Sequence, residues 1–91
     1  MENSEVAKVF TGIADLLESR KYNIFKIRAY RKAAISISEL SMEVEQLVRE
    51  DRLREIPGVG EAIAKKITEL VTTGHLEYYD RLKAGPAEVA K

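Results

Sequence analysis

Ninety-one residues, 45 % of them apolar and 33 % charged, make one small globular domain with a single core and exclude a disordered chain. The lack of cysteine excludes disulfides and every cysteine-based metal site or nucleophile. A formal net charge of zero excludes a chain that is basic throughout, and leaves only a local charge signal to be found.

The first nineteen residues sum to −3. Within them Val6, Val9, Phe10, Ile13, Leu16 and Leu17 recur at helical spacing, with Asn3 or Ser4 as expected cap and an end near Lys21-Tyr22-Asn23. Residues 20–38 hold Arg20, Lys21, Lys26, Arg28, Arg31 and Lys32 and no acid, a +6 block in an otherwise acidic chain. A second helix falls there, with Tyr30, Ala33, Ala34 and Ile37 in line and alanines small enough for close helix packing. Lys26 lies within about 40° of Tyr30 on the helical wheel, whereas Arg28 and Lys32 point away and Arg31 falls between. Ser41 is the expected cap of a third helix, which buries Val44, Leu47 and Val48. A short turn carrying Leu53 precedes a Pro-Gly bend. A fourth helix then buries Ile63, Ile67, Leu70 and Val71 and stops at Gly74, and Leu76, Tyr79 and Leu82 support a last short one.

No strand pattern occurs. The expectation is an all-α bundle of about five short helices over residues 1–84, with 85–91 as a tail that begins a truncated segment. No apolar run approaches the ~18 residues of a membrane span, and the acidic, amphipathic start is unlike a signal peptide. An intracellular chain (cytoplasm, nucleoid or nucleus) without a membrane partner is expected.

The stretch Ile56-Pro57-Gly58-Val59-Gly60 opens directly into the fourth helix. Such a bend presents unpartnered helix amides and the positive end of the helix dipole to an anion, most often phosphate. Apolar-x-x-Ile-Pro-Gly-Val-Gly-x-x-x-Ala-x-x-Ile is the pattern of a helix-hairpin-helix motif. Leu53, Ile56, Ile63 and Ile67 would lock its two helices, Ala64 would let them pack closely, and Gly58, Val59 and Gly60 would meet a DNA phosphate. Contacts of that kind position a protein without reading bases, so binding would be non-specific and salt-dependent. The plainer alternative is a turn that only ends one helix and starts another.

Three blocks at their mutual spacing extend the pattern: Phe25-Lys26-Ile27-Arg28-Ala29-Tyr30-Arg31-Lys32-Ala33-Ala34, Leu53-Arg54-Glu55-Ile56-Pro57-Gly58-Val59-Gly60, and Thr73-Gly74-His75-Leu76-Glu77-Tyr78-Tyr79. Together they resemble the N-terminal, small lyase-type domain of family X DNA polymerases over residues 4–84. The resemblance implies a domain that grips the 5′-phosphate at a gap or nick during DNA repair. In some members it also removes a 5′-deoxyribose phosphate through a lysine Schiff base. The matching lysine is Lys66, with Lys26 and Tyr30 lining the same pocket. The resemblance further implies that the carbonyls of Arg54, Ile56 and Val59 hold a monovalent cation, Na+ or K+, beneath the hairpin. No other cofactor is required, and the domain would be a monomer forming part of a larger polymerase chain. It departs from the family pattern at Ala62 and Tyr78, which stand where lyase-competent members carry phosphate-contacting lysines. Phe25 replaces a base-stacking histidine, although an aromatic ring still stacks on an exposed base, and Lys65 replaces a glutamate.

Chemistry agrees in part. A Schiff base needs an unprotonated amine, hence a lysine whose pKa is lowered by burial or nearby cations. Lys65 sits opposite the buried stripe and Lys66 at its edge, roughly 85° from its centre, so Lys66 is the better nucleophile. If the second and fourth helices are neighbours, Lys26 and Lys65 would lower its pKa further. An edge lysine that simply binds phosphate is the alternative. The DNA contacts expected are thus Phe25, Lys26, Tyr30, Arg31, Lys32, Lys65 and the hairpin amides. His75 is read as a solvated turn residue, and Tyr78 and Tyr79 as packing residues. No carboxylate pair suits a polymerase metal site. Three readings follow: a DNA-binding domain, a lyase, and a protein-interaction module that kept only the fold.

Overall fold

Residues 1–85 are described by a computed structural model, in which the longest amphipathic run forms the longest helix, α1 (Asn3–Ser19). Val6, Phe10, Ile13 and Leu17 of α1 are fully buried, and they pack on Ile27, Tyr30, Ala33, Ala34 and Ile37 of α2 (Ile24–Ser38). Ala33 and Ala34 allow this approach because they place no bulk between the backbones. The α1–α2 pair is the main packing interface of the domain. A tight turn joins the two helices, with Lys21 at φ 53° and the Asn23 side chain capping α2 by accepting from the amides of Phe25 and Lys26 at 2.8 and 3.3 Å.

The shorter elements close over this pair: α3 (Val44–Arg49), a single 3-10 turn (Leu53–Glu55), α4 (Glu61–Thr73) and α5 (Glu77–Ala84). Val44, Leu47, Leu53, Ile56, Val59, Ile63, Ile67, Leu70, Leu76 and Leu82 complete one continuous apolar cluster. Each large member contributes about 1.5–3 kcal/mol by leaving water. Gly74 ends α4 in the left-handed region at φ 86°, as its position after the last apolar residue predicts, and its amide donates to the Leu70 carbonyl at 2.9 Å. The Arg20 guanidinium donates through Nη2 to the Leu82 carbonyl and ties the end of α1 to α5. The fold is therefore the expected all-helical bundle, without strands among the described residues. The expected tail boundary at 85 falls at the edge of the described residues, and 86–91 lie outside them.

Two expected caps are corrected. Glu2, not Asn3 or Ser4, is the cap residue of α1, and its amide donates to Glu5 Oε1 at 2.8 Å. Glu43, not Ser41, precedes α3, and it makes no capping bond of its own. Asn3 supplies the missing partner from the first turn of α1: its Oδ1 accepts from the Val44 amide and its Nδ2 donates to the Met42 carbonyl, both at 2.8 Å. A cap provided from a distant part of the chain leaves no local pattern. Asn3→Ala is expected to lower stability by about 0.5–2 kcal/mol, the range for losing a helix cap. Urea unfolding measures this, and an unchanged midpoint would show that residues 42–44 are held without Asn3.

Candidate nucleic-acid interface

The hairpin begins where the 3-10 turn ends. The Val59 amide donates to the Ile56 carbonyl at 3.0 Å, closing a turn with Pro57 at its second position and Gly58 at its third. Gly58 has φ 85°, the left-handed geometry that a type II turn demands at that place. Ile56 and Val59 turn inward and are buried together with Leu53, Ile63 and Ile67, and Ala64 is half-buried between the helices. Gly60 caps α4 in extended conformation, and the first helical bond runs from the Ala64 amide to the Gly60 carbonyl at 2.9 Å. The amides of Glu61, Ala62 and Ile63 therefore have no partner within the helix. A Cβ built on Gly60 meets nothing within 4 Å, so this end of α4 is open to an approaching backbone.

One and a half turns further along α4, Lys66 lies at the edge of an open depression of about 560 Å³ between α4 and α5, lined also by Ala62, Glu69, Tyr78 and Arg81. Its ammonium sits over the Tyr78 ring, 4.9 Å from the centroid. Tyr78 stacks on Tyr30 at 6.1 Å and Tyr30 on Phe10 at 6.0 Å, both with planes 24° apart, so an aromatic column runs from the core to the pocket. Burial pushes the Lys66 pKa below its ordinary value of 10.5, the Lys26 charge pushes it the same way, and Glu69 opposes them. Burial also raises the Tyr30 and Tyr78 hydroxyls above their ordinary 10.0, so both stay neutral, hydrogen-bonding phenols at physiological pH.

These shifts predict a pH dependence. Phosphate binding through Lys66 needs the ammonium, and a lowered pKa means that the charge is lost before an ordinary lysine would lose it. With Lys66 as a phosphate contact, affinity for DNA is expected to decline as pH rises toward 10.5, starting at lower pH than in a Lys66→Arg variant. Anisotropy titrations across that range read the difference, and superimposable profiles would remove Lys66 from the phosphate contact. Because the charged form is disfavoured in the folded state, the same group lowers stability near neutrality, an effect that begins to lift as pH rises through its folded value and is gone above the ordinary 10.5.

The other predicted residues divide into two groups. Lys26 is exposed, with its ammonium 5.9 Å from the Tyr22 ring centroid, and close enough to Lys66 to affect it. Phe25 is 74 % exposed beside the half-exposed Ile24, which gives an aromatic face free to stack. Lys32 is exposed, and its methylenes cross the hairpin turn. Arg31 instead faces α1, where it pairs with Asp15 at 3.0 Å and with Glu18. Lys65 is well exposed, 3.8 Å from Glu61, and lines the same depression as Lys66, but does not contribute to the Lys66 shift. His75 is exposed, with Nδ1 3.5 Å from Asp80. Among the expected cation ligands, the Ile56 carbonyl already accepts the Val59 amide, while those of Arg54 and Val59 receive no backbone donor among the described residues.

Tyr78, read as packing and as standing at a phosphate-contacting position of the resembled family, does pack on Tyr30 and is also the ring under Lys66. Sequence reasoning missed Arg81, which lies 2.8 Å from Glu77 and lines the same depression. Both sit on α5, and their approach to α4 depends on the αα turn at Gly74 rather than on any local spacing.

Residues 1–76 match a family model described as a helix-hairpin-helix domain, and the chain belongs to that family. Its domains generally bind DNA without sequence specificity, and the Pro57–Gly60 turn with the open end of α4 is the element suited to that task. Among the described residues no helix is long and apolar enough to cross a membrane.

Proposed function

We propose that this domain engages the 5′-phosphate side of gaps and nicks in DNA, as the N-terminal domains of family X repair polymerases do, and serves as a monomeric module of a larger polymerase chain. The observation carrying this reading is Lys66, a half-buried lysine on the same helix as the hairpin amides, with Lys26 close enough to disfavour its charge. A phosphate dianion placed there relieves that repulsion, while the amides of Glu61 to Ile63 hold the neighbouring backbone. Na+ or K+ bound by the carbonyls of Arg54, Ile56 and Val59 would bridge to a further phosphate, since carbonyl oxygens are the hard ligands such cations prefer. Gapped duplexes that differ only in a 5′-phosphate or 5′-hydroxyl provide the test. Tighter binding of the phosphorylated form, lost in Lys66→Met, is expected, and equal affinity for the two ends sinks the proposal.

A second reading, a 5′-deoxyribose-phosphate lyase, is favoured by the lowered pKa of Lys66. The free amine would add to the C1′ aldehyde and lose water to form an imine; loss of a C2′ proton would then break the C3′–O bond and release the DNA strand with a 5′-phosphate, and water would hydrolyse the remaining imine to free the sugar phosphate and the lysine. Tyr78 works against this, because a cation held on a ring face is stabilised in its charged form. Borohydride treatment in the presence of a 5′-deoxyribose-phosphate end decides the matter: a covalent adduct that disappears in Lys66→Ala supports the lyase, and no adduct rejects it.

A further inference from the structure

Beyond the pocket, a separate set of contacts joins the hairpin to the basic helix. Ser36 Oγ donates to the Pro57 carbonyl at 2.7 Å, so a side chain of α2 holds the turn by its apex. One turn earlier on the same helix face, Lys32 runs beneath Gly58. A Cβ added at Gly58 would lie 2.8 Å from Lys32 Cγ, 2.9 Å from Cδ and 3.1 Å from Cε. The first two distances are shorter than Cβ contacts show and the third is tight, so a side chain at Gly58 would have to displace the lysine, and its absence lets the lysine methylenes cross the turn and carry the ammonium past it. Residues 32 and 36 are four apart and therefore neighbours on the surface of α2. Together they form a saddle in which the turn sits.

We infer that Ser36 is a positioning residue for DNA binding, and that it seats the hairpin on Lys32 so that the turn amides and the Lys32 ammonium meet the same stretch of sugar-phosphate backbone as one preset unit. The inference rests on backbone binding by the hairpin and not on recognition of a 5′-phosphate. The physical reason lies in preorganisation. The turn has its own closing bond from Val59 to Ile56, but that bond fixes its shape and not its direction relative to α2. Buried Ile56 and Val59 seat the base of the turn, and the Ser36 bond holds its apex against α2. Without it the apex must be oriented as DNA binds, and the ordering lowers affinity although no charge has been removed. Lys32 then contributes the charge: its ammonium neutralises one phosphate and releases the counterion condensed on it.

The test uses the full chain and duplex DNA gapped by one nucleotide, in both 5′-phosphate and 5′-hydroxyl forms, with affinity measured by anisotropy over a range of salt. Ser36→Val removes the hydroxyl and Ser36→Thr keeps it at equal shape. The valine variant is expected to bind both DNA forms several-fold more weakly with an unchanged salt slope, and the threonine variant to bind like wild type. Lys32→Met keeps an unbranched chain under Gly58 without the charge, and is expected to make the slope of log affinity against log salt shallower by about 0.9, the value for one phosphate contact. Wild-type affinity in Ser36→Val, or equal weakening in valine and threonine variants, overturns the positioning role. An unchanged slope in Lys32→Met overturns the shared backbone contact. Should wild type fail to distinguish the two DNA forms, the 5′-phosphate proposal falls while the Ser36 comparison still decides this one. Thermal melts of each variant show whether any loss comes from unfolding, and the slope in Lys32→Met is independent of the Ser36 variants.

Discussion

Truncating Phe10 to alanine is expected to remove about 3–5 kcal/mol of folding free energy, the range for deleting a large ring from a core. The side chain is fully buried in α1 and stacks on Tyr30 of α2, so its removal empties the centre of the main helix pair. A small domain has about 5–15 kcal/mol of stability in all, and such a loss would leave it marginal. The effect does not stop at the core. Tyr30 in turn supports Tyr78, whose ring carries the Lys66 ammonium. Even under conditions where Phe10→Ala stays folded, affinity for 5′-phosphorylated DNA is expected to fall, whereas Phe10→Leu, which refills most of the volume, should recover both properties. Urea unfolding and DNA titration on the same samples separate the two effects. A stability loss below about 1 kcal/mol would show that the surrounding helices collapse onto the site, against the close packing described for α1 and α2.

The second large effect is expected at Gly58. Its φ of 85° lies where a side chain adds about 1–2 kcal/mol of strain, and the space a methyl would need is occupied by Lys32. Gly58→Ala must either twist the turn or push the lysine aside, and both disturb the amides offered to DNA. A drop of about tenfold in affinity, or about 1.4 kcal/mol, is expected. Gly60→Ala supplies the contrast, since Gly60 is extended and a Cβ there meets nothing in the protein. Its thermal stability should match wild type, so that any weakening of binding reports a clash with DNA itself. Equal melting temperatures and equal affinities in both variants would mean that DNA does not approach the hairpin.

Much of this was legible in the sequence because it is periodic. The apolar stripes of α1, α2 and α4 follow from spacing, and the placement of Lys65 outside and Lys66 at the edge follows from the helical wheel. The hairpin was legible because a Pro-Gly turn leading into a helix has few geometries open to it. What was not legible depends on pairs distant in the chain. Asn3 caps a helix about forty residues away, Tyr78 reaches Lys66 only once α5 folds back, and Arg31 meets its partners on α1. In each case the residue type was suited to the role, but the choice of partner is made by packing. Arg31 shows the consequence most clearly, since six like charges in a row read as one basic surface until a neighbouring acidic helix takes one of them.

That pairing also bears on how the domain finds its target. Asp15 and Glu18 place negative charge on α1 directly beside the basic helix, and the formal charges of the 91 residues sum to zero. The domain carries no net charge to draw it toward a polyanion from afar, and beyond a Debye length of about 10 Å its field is that of a dipole. Encounter with DNA is therefore governed by orientation: a collision on the acidic flank is turned away, and one on the hairpin side is retained. Changes in ionic strength should act mainly on how long a complex lasts and only weakly on how often one forms, the reverse of the pattern for proteins steered by a large net charge.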